Sequence, residues 1–355
     1  MHDSPITPSP LPEFTPVPKG WPKDATLNTA TYSSTINWPK ISIIIPSYQQ
    51  ANYLEDCILS ILHQNYPSIE ILVADGGSTD ASKDILQAYN SQLTWWVSEK
   101  DQGQSDAINK AYPQATGDIV NWLCSDDMLL PNALYAIATA FLNPEVKVVC
   151  AWSRQFYEQQ DLGLSKSTLY VNWGELLFTS HICQPAHWWR KKIFDTLQPV
   201  NIKLHYAMDS ELWISFLLQF GKNAICEIPQ VVTAYRYHEG SKTVKEDFRF
   251  AGDKIALWYS VLYLFNAPKF VLNWLKPLSN SNLWNKIKIN NLIYQNERTS
   301  ILLFYSTKLI SQAKIQHKYF LALRLLIWNI SLAPFRSLYA WKKLVTTVIA
   351  PKLFS

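Results

Sequence analysis

Along the first 240 positions, short apolar runs alternate with stretches of helical spacing. "ISIII" (41–45) is a β-branched run closed by Pro46, the pattern of a strand buried on both faces. "ANYLEDCILSILHQ" (51–64) puts Leu54, Ile58, Ile61 and Leu62 on one face and predicts an amphipathic helix. "IEILVAD" (69–75) predicts a second strand, and "TDASKDILQAY" (79–89) a helix that Ser78 or Thr79 would cap. "LTWWVS" (93–98), "DIVNWLC" (118–124) and "VKVVCAW" (146–152) predict three further strands. "QSDAINKAY" (104–112) and "PNALYAIATAF" (131–141) predict helices between them. This alternation implies an α/β fold, a mainly parallel sheet flanked by helices.

After residue 150 the pattern is less regular. Residues 184–197 and 209–221 read as helices, the second stopped by Gly221, and "AICEIP" (224–229) and "VVTAYRYH" (231–238) read as strands. Beyond 250 the spacing is helical throughout, interrupted by Pro268, Pro277 and Pro334. Residues 1–40 are rich in Pro, Ser and Thr and are expected to bury little. The chain therefore reads as an N-terminal extension (1–40), an α/β catalytic domain (41–245) and a helical C-terminal region (246–355).

Composition refines this. With 355 residues, 48% of them hydrophobic, a sizeable core is available; the 15 Trp and 18 Tyr suit cores, sugar-binding clefts and membrane interfaces. Five cysteines without a CxxC pair speak against a disulfide framework or a zinc site and fit a reducing, cytoplasmic setting. No signal-peptide pattern and no apolar run of about 18 residues is present, so a transmembrane helix is not expected. The net charge of +4 hides an asymmetry: from Ile255 onward 13 Lys and Arg face one acid, Glu297. That bias implies a polyanionic surface as partner. "YFLALRLLIWNISLAPF" (319–335), with Arg324 within it and Arg336, Lys342 and Lys343 after it, reads either as an in-plane helix on an anionic membrane or as part of a helical subdomain packed on the core. No nucleic-acid motif accompanies the charge, and nucleic acid is not an expected partner.

The candidate chemistry lies where predicted strands end. In parallel sheets ligands bind beyond the carboxyl ends of the strands. Pro46-Ser47-Tyr48, Asp75-Gly76-Gly77-Ser78 and Ser125-Asp126-Asp127 all follow a strand. Asp75 is either an acceptor for a nucleobase N–H or ribose hydroxyl, with the glycines admitting a flat ring, or an ordinary Asp-Gly turn residue. The loop "EKDQGQSDAINK" (99–110) offers Gln104, Ser105 and Asn109 as donors and acceptors around Gly103. Asp126 and Asp127 repel each other; they either cap the helix that follows Pro131 or suit Mg²⁺ or Mn²⁺ bridging to a diphosphate, one carboxylate ligating and the other taking a ribose hydroxyl or metal-bound water. Asp209 opens a helix and is either its cap or a general base. His238 is a candidate metal or phosphate ligand.

These residues, in "ISIIIPSYQQANYLEDCILSILHQNYPSIEILVADGGSTD", "DQGQSDAINKA", "GDIVNWLCSDDMLLP" and "YAMDSELW", resemble family 2 glycosyltransferases over about residues 40–240. The resemblance implies the GT-A fold, an inverting transfer from a nucleotide-sugar donor (a UDP-sugar by the family's habit), a divalent metal, and a glycan or lipid-linked acceptor in polysaccharide assembly. Carried over by position, Pro46, Ser47, Tyr48 and Asp75 grip the nucleoside, Asp127 ligates the metal, and Asp209 is the catalytic base. Gln184, Trp188 and Trp189 fall on the acceptor side, where a Trp could stack on a sugar ring. Met208 stands where the family carries Glu, which gives a foothold to an alternative, a non-catalytic nucleotide-sugar binding module. A sugar-nucleotide pyrophosphorylase is a further alternative, disfavoured because "PSYQQANYL" lacks the Gly and basic residues of such enzymes.

Overall fold

Seven residues, Ile41–Ser47, form β1, and every one is buried. The reason is its place in the sheet: β1 runs parallel to β2 (Ile69–Asp75) on one side and to β4 (Ile119–Trp122) on the other. β3 (Trp95–Ser98) adds in parallel beyond β2. The connections are α1 (Ala51–Leu62), α2 (Ser82–Ala88) and α3 (Gln104–Ala111), and α4 (Ala133–Phe141) follows β4. Parallel register brings Ser47, Asp75, Ser98 and the residues after Trp122 to one rim. This is a computed structural model that describes residues 17–28, 30–158, 160–167, 169, 171–179, 182–242, 250–278 and 289–333.

The other half of the sheet changes direction. β8 (His187–Arg190) lies antiparallel between β4 and β6 (Val148–Tyr157), and β9 (Ile225–Tyr237) runs parallel to β6. β5 (Met128–Leu129) closes the edge antiparallel to β9, while β7 (Gln160–Ser165) forms a hairpin with the second half of β6. The resulting order is β3-β2-β1-β4-β8-β6-β9-β5. α6 (Lys191–Phe194) and α7 (Met208–Phe220) separate β8 from β9, and Gly221 stops α7 with a φ of +76°.

Three expectations are corrected. Residues 184–197 are not one helix: Gln184–Ala186 makes a 3-10 turn, His187–Arg190 is β8, and α6 follows. The "HWWR" stretch satisfies its backbone on two neighbouring strands, and its bulky rings fill the core. "AICEIP" and "VVTAYRYH" are one strand, β9, whose pairing with β6 shifts register on either side of Trp152. Neither Ser78 nor Thr79 caps α2; Asp80 Oδ1 accepts from Ser82 N instead. The described part of the N-terminal extension buries little, as expected, but is held to the sheet unit at a few points. Trp21 is buried with Met128, Leu130 and Phe156, and its Nε1 donates to Leu129 O at 2.7 Å. Tyr32 and Trp38 meet Tyr66 and Tyr135. Widely spaced aromatics anchor a segment whose average composition suggests disorder.

At the end of the sheet away from the rim, Glu70 is held by Lys40 Nζ, Ser42 Oγ, Thr116 N and Thr116 Oγ1. Burial pushes its carboxyl up, but these donors outweigh burial and hold it at about 2.

By contact the chain forms two compact units. The first comprises 1–167, 182–216 and 220–250 and holds the sheet; the second comprises 168–181, 217–219 and 251–355. The second is helical: α5 (Trp173–Thr179), α8 (Phe250–Leu264), α9 (Lys269–Leu275), α10 (Asn291–Ile315) and α11 (Tyr319–Leu332). Pro268 precedes α9 and Pro277 lies in a short 3-10 turn after it; Pro334 falls outside the described residues. Phe178 of α5 stacks on Trp258 of α8, with centroids 4.2 Å apart. Among the described residues no helix is long and apolar enough to cross a membrane.

Candidate active site

Three strand ends and one loop build the rim of the first unit. Ser47, at the end of β1, is buried, and its Oγ finds no partner among the described residues. Gly76 N donates to Ser47 O at 2.8 Å, which ties the β1 and β2 exits together. Asp75 is almost fully buried. Its Oδ2 accepts from Ser78 N at 2.8 Å and Ser98 Oγ at 2.7 Å, and its Oδ1 accepts from Ser78 Oγ. Asp75 therefore organises its own turn, and Ser78 is spent on it and on Gln49 N. Pro46 is paired within β1, whereas Tyr48 stands 59% exposed above the rim.

The Gly76-Gly77 pair has a local explanation. Gly77 has a φ of +79°, and a Cβ there would meet Lys100 N at 3.0 Å; a Cβ on Gly76 would meet Asp101 Oδ2 at 2.9 Å. The 99–101 loop thus lies on the glycines. Asp101 is half-buried there, and burial pushes its carboxyl up. Gly103, with a φ of +107°, turns the chain into α3. Gln104, the first residue of α3, donates to Cys124 Sγ at 3.1 Å and accepts from Lys242 Nζ at 3.3 Å. Lys242 Nζ also donates to His205 O at 3.2 Å, joining this corner to the loop that leads into α7.

The acidic pair follows β4 in a tight turn, with Asp127 N donating to Cys124 O at 2.9 Å. The two carboxylates meet different surroundings. Asp127 is fully enclosed, and its Oδ1 accepts from Arg236 N at 3.0 Å on β9. Burial, then the neighbouring Asp126 charge, pushes its carboxyl well above the usual range. Asp126 is partly open, and its Oδ2 lies 2.9 Å from His238 Nε2. Gly240 N lies 3.2 Å from His238 Nδ1, on the other side of the ring. Cys124 completes the group: ligand atoms of Cys124, Asp126 and Asp127 lie within 4.8 Å of one another.

Arg236 holds the turn in place. Its Nε donates to Asp126 O at 3.0 Å, its Nη2 lies 3.3 Å from Asp56 Oδ2, and its guanidinium sits 4.9 Å from the ring centroids of Tyr53 and Phe156. Tyr53 also packs on His238, with centroids 4.7 Å apart. Sequence reasoning missed Arg236, Tyr53, Asp101 and Lys242. The signal for Arg236 was its place two residues before His238 at the end of a predicted strand, since alternate positions of an extended segment share a face.

The two carboxylates of this group, Asp126 and Asp127, are donors that a hard divalent cation takes, and they repel each other without an intervening positive charge. Asp126 and His238 form the open pair, whereas Asp127 is the enclosed flank bonded to β9.

Other expected residues are engaged elsewhere. Asn109 makes a two-bond clamp on Val200, donating to its O and accepting from its N, both at 2.8 Å. Ser105 is buried at the start of α3. Gln184 Nε2 donates to Trp122 O at 2.9 Å. Trp188 and Trp189 are 0% and 1% exposed within β8, and a ring enclosed on both faces has none to offer a sugar. The acceptor-stacking role expected of them is therefore corrected to core packing. Asp209 lies in the first turn of α7, part-exposed, with Oδ1 accepting from Ser210 N at 2.6 Å. Met208, beside it, is buried.

Residues 42–215 match the family described as "Glycosyl transferase family 2". An uncharacterized glycosyltransferase of Rickettsia typhi is 30% identical over 194 residues, 50% of this chain but 59% of that protein. The PGL/p-HBAD biosynthesis glycosyltransferase of Mycobacterium bovis is 31% identical over 184 residues, 48% of this chain and 67% of that protein. Among solved structures, S. aureus TarS residues 1–349 in complex with UDP-GlcNAc superposes with a TM-score of 0.51 at 21% identity, covering 75% of this chain and 80% of that one. At that identity the likeness is one of fold, the GT-A arrangement of a mainly parallel sheet flanked by helices. On the motif match and the mycobacterial relative together, the chain belongs to glycosyltransferase family 2.

Proposed function

We propose that this protein transfers a sugar from a nucleoside diphosphate sugar to an acceptor hydroxyl, inverting the anomeric carbon. The observation that carries the reading is the 2.9 Å approach of Asp126 Oδ2 and His238 Nε2 beside Asp127, at the rim where the parallel strands end. Asp126 and His238, flanked by Asp127, would hold Mn²⁺ or Mg²⁺. Bound there, the cation would offset the charge that develops on the departing diphosphate. Ser47 offers an unsatisfied hydroxyl to the nucleoside, and Tyr48 an exposed ring beside it. Asp75 keeps that corner rigid. A uridine donor, as in the TarS complex, is the first to test.

Asp209 is the proposed base. A carboxylate in the first turn of α7 would accept the acceptor's proton as the new bond forms. Lys242 and Gln104 link the approach to α7 with the acidic turn and so hold base and donor in register. The acceptor is proposed to be a glycan or lipid-linked glycan, met at the cytoplasmic face of a membrane during polysaccharide assembly.

The test has two arms. Uridine diphosphate should raise the melting temperature only with Mn²⁺ present, and Asp126→Ala and His238→Ala should each remove that shift. Asp209→Asn should keep the shift and lose transfer. A metal-independent shift that survives both substitutions would overturn the metal assignment; full transfer by Asp209→Asn would overturn the base.

A further inference from the structure

We infer that α11 is a docking surface for an anionic lipid bilayer. The helix sits on α10 in an unexpected rotational setting. Its buried side carries Ala322, Leu325 and Leu326, but also Asn329, whose Nδ2 donates to Ser306 Oγ at 2.7 Å, to Thr307 Oγ1 at 3.2 Å and to Leu303 O at 3.3 Å. A polar side chain is turned inward and locked. The outward arc is apolar: Phe320 is 75% exposed, Ile327 59% and Leu323 42%, and Ile315, at the end of α10, is 71% exposed. Spacings of three, four and seven residues align Phe320, Leu323 and Ile327 in one stripe. Such a stripe on an otherwise folded unit marks an interaction surface.

Charge identifies the occupant. The stripe is edged by cations: Arg324 lies 4.3 Å from the Phe270 ring centroid of α9, Lys318 lies 5.9 Å from that of Trp274, and Lys269 and Lys276 flank α9 in exposed positions. From Ile255 onward the chain has 13 Lys and Arg and one acid. A second copy of this surface would set cation against cation. The chain's own residues 334–355 add Arg336, Lys342, Lys343 and Lys352 and no acid, so their charge does not complement the surface either. A lipid surface bearing phosphate answers both halves at once: the stripe enters the acyl boundary and the cations meet the headgroups. This deepens the proposed place of work, yet lipid binding is read without turnover and stands or falls by itself.

The experiment is flotation of the full chain with vesicles of phosphatidylcholine, with or without about 30 mol% phosphatidylglycerol. The wild-type chain should float with the anionic vesicles, less so as salt rises, and weakly with the neutral ones. The variant F320Q/L323Q/I327Q should lose binding about tenfold or more at unchanged melting temperature, because those side chains already face water. I327Q alone and Lys318→Gln/Arg324→Gln serve if the triple variant is poorly made, each with a smaller loss. The Mn²⁺-dependent nucleotide shift should be unaltered in all of them, which separates this surface from the catalytic reading. Equal flotation of wild type and triple variant, or none with either, overturns the inference. So does a melting-temperature drop without loss of lipid binding, which would mean that the chain's own tail covers the stripe. A dimer that the triple variant dissolves, without lipid binding, overturns it as well.

Discussion

Glu70 shows what a single side chain contributes away from the chemistry. Its carboxyl is held at about 2, against an ordinary 4.5, by Lys40, Ser42 and Thr116. A depressed carboxylate stabilises the fold above its unfolded value, and that contribution is lost as pH falls from there through the folded one. Stability should therefore decline between about pH 4.5 and 2 by up to ~3 kcal/mol from this group. In Glu70→Gln, denaturant melts should show a neutral-pH loss of about 2–3 kcal/mol and a flatter acid limb. At this scale the acids of the site were legible in the sequence because strand ends can be read locally. The amides were not. Asn109 and Gln184 spend their groups on partners 91 and 62 residues away, and nothing near them in the chain reveals it.

Among the elements, β9 bears most on the site. Its residue Arg236 reaches Asp126 O, Asp127 Oδ1 and Asp56 through backbone and side chain, and His238 follows on the same face. Arg236→Met should keep the backbone bond to Asp127 but leave Asp56 and the turn unheld. A stability loss of roughly 2–4 kcal/mol and a weaker Mn²⁺-dependent nucleotide shift are expected, with partial rescue by Arg236→Lys. Calorimetric titration and thermal melts would read the two effects separately. The Asn329 lock makes a parallel case on α11: Asn329→Leu removes three hydrogen bonds but supplies apolar volume, so stability should change by less than about 1.5 kcal/mol, whereas Asn329→Asp should cost more, since a buried carboxylate cannot donate to Leu303 O. The first four strands were readable because each is short and dominated by apolar β-branched or aromatic residues. β8 was not, since "HWWRKKIF" has no decisive period. Its strand identity comes from the two neighbours that flank it, β4 and β6, supplied by distant parts of the chain.

For the whole molecule, the alternating pattern was enough to predict the α/β class and the rim, because parallel strands dictate where their ends gather. The antiparallel insertion and the aromatic anchors of residues 17–38 depend on tertiary contacts that no short window contains. The order in which the parts of the acidic turn are made has its own consequence. Arg236 and His238 lie 110 and 112 residues after Asp126. A ribosome adding about 5–20 residues per second releases both carboxylates roughly 5–20 s before the strand that gathers them. Until then the growing polypeptide carries two crowded negative charges at the mouth of a half-finished sheet. Its last sheet strand thus also acts as the closing step of biogenesis, and a nascent chain stalled after Phe220 should be unable to retain nucleotide.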